Sequence, residues 1–176
     1  VYKRQALGSP LGTSYSILSG SITSRGNEIT TLDNNYSVFT TDIVGSKNGS
    51  GILINVNGEI VGLIMQDYSS AGASNTLTAV AISEVSELLN LLMAGEDIPY
   101  LGISGTTVTD KIADKYTVPK GVYVKEVEMD SPAMLAGIQS GDVIISLDGE
   151  EINSMSAYSQ KLLTLIPGES CEAVSY

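Results

Sequence analysis

Thr40-Thr41-Asp42-Ile43-Val44-Gly45-Ser46-Lys47-Asn48-Gly49-Ser50-Gly51 leads directly into Ile52-Leu53-Ile54-Asn55-Val56-Asn57-Gly58-Glu59-Ile60-Val61-Gly62. Segments 51–56 and 59–65 are apolar and rich in β-branched residues, as expected of strands with at least one packed face. Asn57-Gly58 between them is the strongest short hairpin signal, because Asn and Gly tolerate the positive φ that a tight strand reversal needs. Residues 36–41 read as a strand entering a glycine-rich loop. The stretch therefore predicts strand, loop, strand, hairpin and strand in immediate succession.

The flanks extend this pattern. Upstream, Leu7-Gly8-Ser9-Pro10-Leu11-Gly12 is a turn and Ser19-Gly20-Ser21-Ile22-Thr23-Ser24 a strand, with Asp33-Asn34-Asn35 marking a second turn. Downstream, 77–82 reads as one more strand. From Ser83 the period changes. Ser83 is a candidate N-cap followed by Glu87, and Val85, Leu88, Leu89 and Leu92 recur at helical spacing up to Gly95. The polar connector Glu96-Asp97-Ile98-Pro99 is the best domain boundary in the chain.

Composition narrows the function classes. The 176 residues are 43% hydrophobic with a mean hydropathy of +0.16, which suits a folded core. No run approaches the roughly 18 apolar residues of a membrane span. The net charge of −11 is uneven: 1–95 carry 4 basic and 7 acidic side chains, 96–176 carry 5 and 13. Such a surface repels phosphate backbones and argues against nucleic-acid binding. One cysteine, Cys171, permits no internal disulfide, and it reads as an ordinary strand residue. With no histidine, the chain itself holds no His-assisted catalysis. Asp110, Asp114, Glu126, Glu128 and Asp130 lack calcium-loop spacing and read as solvated surface. No metal or cofactor is expected.

The central stretch resembles the HtrA/DegP branch of the trypsin-like proteases, whose nucleophile loop reads T-D-A-x-I-N-P-G-N-S-G-G and runs through a strand into D-G-E-V-I-G. Counting back without gaps from Asn57-Gly58-Glu59 matches Asn48 to the motif's Asn, Gly49 to its serine and Lys47 to its oxyanion glycine. Leu7-Gly12 with Ser19-Ser24 resembles the family's G-N-P-x-G…T-S-G-I-I-S. Asp42 falls where the family has T-D, and a loop-capping role is favoured there. Beyond the connector the motifs resemble a PDZ domain. These are Tyr100-Leu101-Gly102-Ile103 as carboxylate-binding loop and Gly121-Val122-Tyr123-Val124 as a core strand. Ser131-Pro132-Ala133-Met134-Leu135-Ala136-Gly137 matches the S-P-A-x-x-A-G helix turn, and Gly141-Asp142-Val143-Ile144 precedes Asp148-Gly149 and Ile152. Residues 154–165 would be the second helix, with Met155 and Tyr158 in its core or groove face.

The resemblance implies a mostly β chain with some α: the second β-barrel of a chymotrypsin-like fold (6–95, with a closing helix), then an α+β PDZ domain (96–173) whose last strand is cut short. The first barrel, which in the family supplies His and Asp, is missing. Glycine has no side chain with which to attack a carbonyl, and Lys47 replaces a glycine of the oxyanion loop formed by Lys47, Asn48 and Gly49. A non-catalytic peptide-binding relative is therefore expected. Its alternative is an active serine endopeptidase using Ser50 in a shifted register, although misplacing a reacting group by about 1 Å can already cost about 100-fold. Tyr100, Leu101, Gly102 and Ile103 would capture exposed segments or C-termini of other chains, with Leu101 and Ile103 lining an apolar pocket. The family further implies a cell-envelope location, a membrane anchor only in a missing N-terminal part, and trimers through the barrel.

Both ends look foreign to the fold. Val1-Tyr2-Lys3-Arg4-Gln5 matches a translation of GTG-TAT-AAG-AGA-CAG, the end of a transposase adapter, and Val174-Ser175-Tyr176 matches the start of the complementary strand. Residues 1–5 and 174–176 are thus expected to be adapter-derived, and the natural protein longer on each side.

Overall fold

A computed structural model describes residues 3–65 and 75–176, in two compact units. The first comprises 1–29 and 36–86, the second 30–35 and 87–176.

The first unit is built on a closed barrel. Its strands are β1 (Lys3–Ser9), β2 (Ser16–Thr31), β3 (Asn34–Val44), β4 (Ser50–Ile54), β5 (Ile60–Met65) and β6 (Thr76–Ala81), in the cyclic order β1-β2-β3-β6-β5-β4. Closure removes the exposed edges that a six-stranded open sheet would present. Inward-facing Ala6, Ile43, Leu53, Ile64, Leu77 and Ala79 form its core. The expected strands are all present, but the hairpin after β4 differs from the expected two-residue turn. Its loop spans 55–59. Asn55 Oδ1 accepts the Asn57 and Glu59 N–H groups at 2.9 and 3.0 Å, and the Gly58 N–H donates to the Asn55 carbonyl at 3.1 Å. An Asn side chain that caps the backbone ahead of it thus sets the loop length, and Val56 is left 78% exposed.

Helix α1 (Ile82–Ala94) follows and ends at Gly95, as its spacing predicts. The second unit has a sheet in the order β10-β9-β8-β7, made of β7 (Ile103–Thr107), β8 (Val122–Val127), β9 (Val143–Leu147) and β10 (Glu150–Glu151). Strand β11 (Ala173–Ser175) adds to β9. Three helices complete it: α2 (Asp110–Tyr116), α3 (Pro132–Leu135) and α4 (Met155–Leu163). Ser131 Oγ caps α3 by accepting the Met134 N–H at 3.2 Å, and Ser154 Oγ caps α4 through Ala157 N–H at 3.1 Å. The core gathers Ile103, Val122, Val124, Ile144, Leu147 and Tyr158 among others. Helix α2 had no clear sequence signal: none of its residues is buried, so it lacks an apolar stripe. The fold class is the expected one, mostly β with few helices. Among the described residues no helix is long and apolar enough to cross a membrane.

Residues 3–5 and 174–176 are taken up by the sheets, not left outside them. Gln5 pairs with Ser19 and Ile54, and Tyr176 exchanges backbone hydrogen bonds with Val143 at 2.9 Å. Strand pairing uses backbone groups, so it places no demand on which side chains stand there. Val1 and Tyr2 lie outside the described residues. Cys171 is exposed and precedes β11, outside any strand.

Candidate functional site

The loop between β3 and β4 holds the residues matched to a nucleophile and its oxyanion donors. It is closed on itself. Gly49 N–H donates to the Ser46 carbonyl at 2.8 Å, Asn48 N–H reaches Ser46 Oγ at 3.4 Å, and Ser46 N–H donates to the Pro10 carbonyl at 3.0 Å. Of the amides matched to the oxyanion loop, those of Asn48 and Gly49 are used inside the turn. Gly49 is buried, and a Cβ built on it would sit 2.9 Å from the Ser46 oxygen and closer still to that of fully buried Pro10. Any side chain at this position meets backbone, which cannot swing aside as a side-chain tip can. Lys47, Asn48 and Ser50 are exposed. Lys47 is not among the residues with positive φ, so its backbone does not need the freedom of the glycine it replaces. Ser50 begins β4, opposite Ser9 and Met65. Asp42 accepts the Ser21 N–H at 2.6 Å, a structural cap across neighbouring strands.

The second candidate site is the loop entering β7. Here three consecutive backbone N–H groups converge on one carboxylate. Leu101 and Gly102 donate to Asp33 Oδ2 at 2.9 and 2.8 Å, and Ile103 donates to Oδ1 at 3.1 Å. The Tyr158 hydroxyl donates to the same Oδ1 at 2.8 Å. The loop's own carbonyls are held from behind: Ala133 N–H donates to Leu101 O at 2.9 Å and Glu128 N–H to Gly102 O at 2.8 Å. That anchoring turns the N–H groups outward as a preformed anion nest. Gly102 has φ +87, and a Cβ there would press on the Ser131 side chain and come within 2.7 Å of Tyr100 Oη. Glycine is thus required on both conformational and steric grounds. Burial is the first cause, and the Asp33 charge the second, of a Tyr158 pKa pushed far above 10.0, so the phenol stays a donor.

The structure therefore brings Leu101, Gly102 and Ile103 together around a carboxylate, that of the chain's own Asp33. Tyr100 flanks them with its side chain half-exposed. Leu101 and Ile103, expected to line an apolar pocket, are both buried in the core. Asp33 itself was legible only as a turn residue. It lies 68 to 70 positions from the loop amides and 125 from Tyr158, and no local signal could have paired them.

Comparisons with known proteins agree with this fold. A family model described as PDZ domain matches residues 99–172. The chain is similar to a probable periplasmic serine endoprotease, DegP-like, from Hahella chejuensis, with 32% identity over 93% of this chain and 36% of the relative. It is similar to the periplasmic pH-dependent serine endoprotease DegQ of Escherichia coli, with 30% identity over 93% and 37%, respectively. The chain thus spans little more than a third of the length of these relatives. Among solved structures, an HtrA-type protease AlgW with decapeptide aligns with 99% of this chain and 55% of its own at a TM-score of 0.65 and 22% identity. The same type of protease with a tripeptide gives 0.64 and 23%.

Proposed function

Since the chain belongs to the HtrA-like family, which joins a protease-like barrel to a PDZ domain, we propose that it is a peptide-capturing member of that family without proteolytic activity. Residues 96–173 are the peptide-binding domain, and 6–95 the barrel with its closing helix. One observation carries the reading: the N–H groups of Leu101, Gly102 and Ile103 converge on a carboxylate. A chain terminus offers the same group, followed by a backbone able to add to the β7 edge. Neutral N–H donors held in place gain several charge-assisted hydrogen bonds to one carboxylate without reorganising. The relatives named as periplasmic support an extracytoplasmic setting.

Inactivity rests on the β3–β4 loop. Hydrolysis needs a nucleophile and free N–H donors at the developing oxyanion, one such donor being worth about 3–4 kcal/mol of barrier. Gly49 supplies no nucleophile, and its N–H is already used by Ser46. The rival enzyme would have to use Ser50 beside this closed turn. Trimers through the barrel are the family's mode of assembly and are adopted as part of the proposal.

Two measurements decide the matter. Labelled peptides with free C-termini should bind by fluorescence anisotropy, and amidation of the terminus should abolish binding. Applied to the full-length protein, where the family's first barrel would supply His and Asp, a fluorophosphonate probe should also give no labelling. Binding indifferent to amidation would sink the groove, and labelling that vanishes on Ser50→Ala would establish the enzyme.

A further inference from the structure

Building on the peptide-capture reading, we infer that segment 30–35 is a resident occupant of the carboxylate nest, with the Asp33 side chain standing in for a peptide's terminal carboxylate, so that an incoming C-terminus binds by displacing it. Residues 30–35 and the nest belong to one compact unit. The mimicry covers backbone as well as side chain. While its carboxylate takes three loop amides, Asp33 N–H donates to the Ile103 carbonyl at 2.7 Å, as the last residue of an added strand would. Two positions on, Asn35 Nδ2 reaches the next outward carbonyl of β7, Gly105 O, at 3.3 Å. The segment therefore takes both the anion nest and the first two acceptors along the β7 edge.

Its shape is preset. Asp33 holds φ +58, and Thr31 Oγ1 donates to the Asn34 carbonyl at 3.0 Å, so the carboxylate is presented by a tight turn and not by a free end. The fit is good but incomplete. Among the described residues, Asn35 Oδ1 is buried without a hydrogen-bond partner, an energetic cost that leaving the groove would relieve. The ligand class that fits is an extended peptide with a free C-terminal carboxylate.

Occupancy by an internal group lowers apparent affinity by the fraction of molecules whose nest is free. The test titrates fluorescein-labelled peptides ending in Val, Leu or Phe, with free or amidated termini, into the unmodified chain and into Asp33→Ala. Backbone amide NMR of Leu101, Gly102 and Ile103 is followed in parallel. The expected result is binding of free-carboxyl peptides about tenfold tighter to Asp33→Ala, with all three amides already displaced in that variant before peptide is added. Equal affinity for both proteins overturns the occupant while leaving the peptide reading intact. No binding by either, with the amides displaced in Asp33→Ala, overturns the peptide reading itself. Should Asp33→Ala fail to fold, Asp33→Asn keeps the volume and one acceptor oxygen while losing the charge. It is expected to tighten binding in the same direction, and unchanged affinity there overturns the occupant equally.

Discussion

Asp33 accepts the backbone N–H of Gly102 at 2.8 Å across 69 residues of sequence. This bond ties a two-residue turn after β2 to the loop entering β7, and Leu101, Ile103 and Tyr158 share the same carboxylate. A buried carboxylate is tolerated only when hydrogen bonds repay its desolvation, and four donors do so here.

Tyr158 closes that site from α4 with a side chain fully buried in the core. Its phenol is held protonated by burial and by the Asp33 charge, far above the ordinary 10.0. In the unfolded chain the phenol ionises above about pH 10. There the unfolded state binds fewer protons than the folded one, so stability is fully present below pH 10 and falls as pH rises beyond it, by up to about 1.4 kcal/mol per pH unit for this group. Urea denaturation at pH 9, 10 and 11 should show Tyr158→Phe losing less stability over this range than the unmodified chain. Parallel slopes for the two proteins would refute the assignment.

Gly49→Ser restores the motif's serine on paper. The Pro10 and Ser46 carbonyls occupy the space of its Cβ, so the loop must shift to accept it. The substitution should cost about 1–3 kcal/mol by the overpacking mechanism, read from the denaturation midpoint. Made in the full-length protein, where the family's first barrel would supply His and Asp, it should also bring no fluorophosphonate labelling, alone or combined with Lys47→Gly. Labelling of the single variant would show that the loop is more pliable than its hydrogen bonds indicate.

The loop 55–59 separates two readings of one turn. If Asn57-Gly58 sets it, Asn57→Ala should be the costly change. The structure assigns the work to Asn55, whose side chain bonds Asn57 N–H, Glu59 N–H and the Glu59 carboxylate. Asn55→Ala should therefore cost about 1–2 kcal/mol and Asn57→Ala about 0.5 or less, measured by thermal or urea denaturation. A larger effect at 57 would reverse the assignment.

Much of the architecture is written locally. Alternating and β-branched runs mark β2, β3 and β6, the helical spacing of Val85, Leu88, Leu89 and Leu92 marks α1, and Ser131 and Ser154 announce the starts of α3 and α4. These features depend on neighbours a few residues apart, whose geometry the backbone enforces by itself. Helix α2 escaped because an exposed helix carries no apolar periodicity. The five-residue length of the loop at 55–59 escaped because one Asn side chain can override a strong dipeptide preference.

Through its resemblance to HtrA-like proteins, the sequence alone led to the expectation of a barrel joined to a PDZ domain, with glycine at the position matched to the nucleophile. Both rest on motifs that resemble those of that family, the second counted without gaps from the Asn57-Gly58-Glu59 turn. Only the tertiary structure decided that Gly49 has no room for a side chain, that the Gly49 amide turns inward, and that the nest at 101–103 already holds a carboxylate. Each of these depends on groups brought together by chain closure, Pro10 against Gly49 and Asp33 against Gly102. A hydrogen bond between residues 69 apart leaves no trace in local propensity, because its energy exists only after the entropy of closing that loop has been met by the rest of the fold.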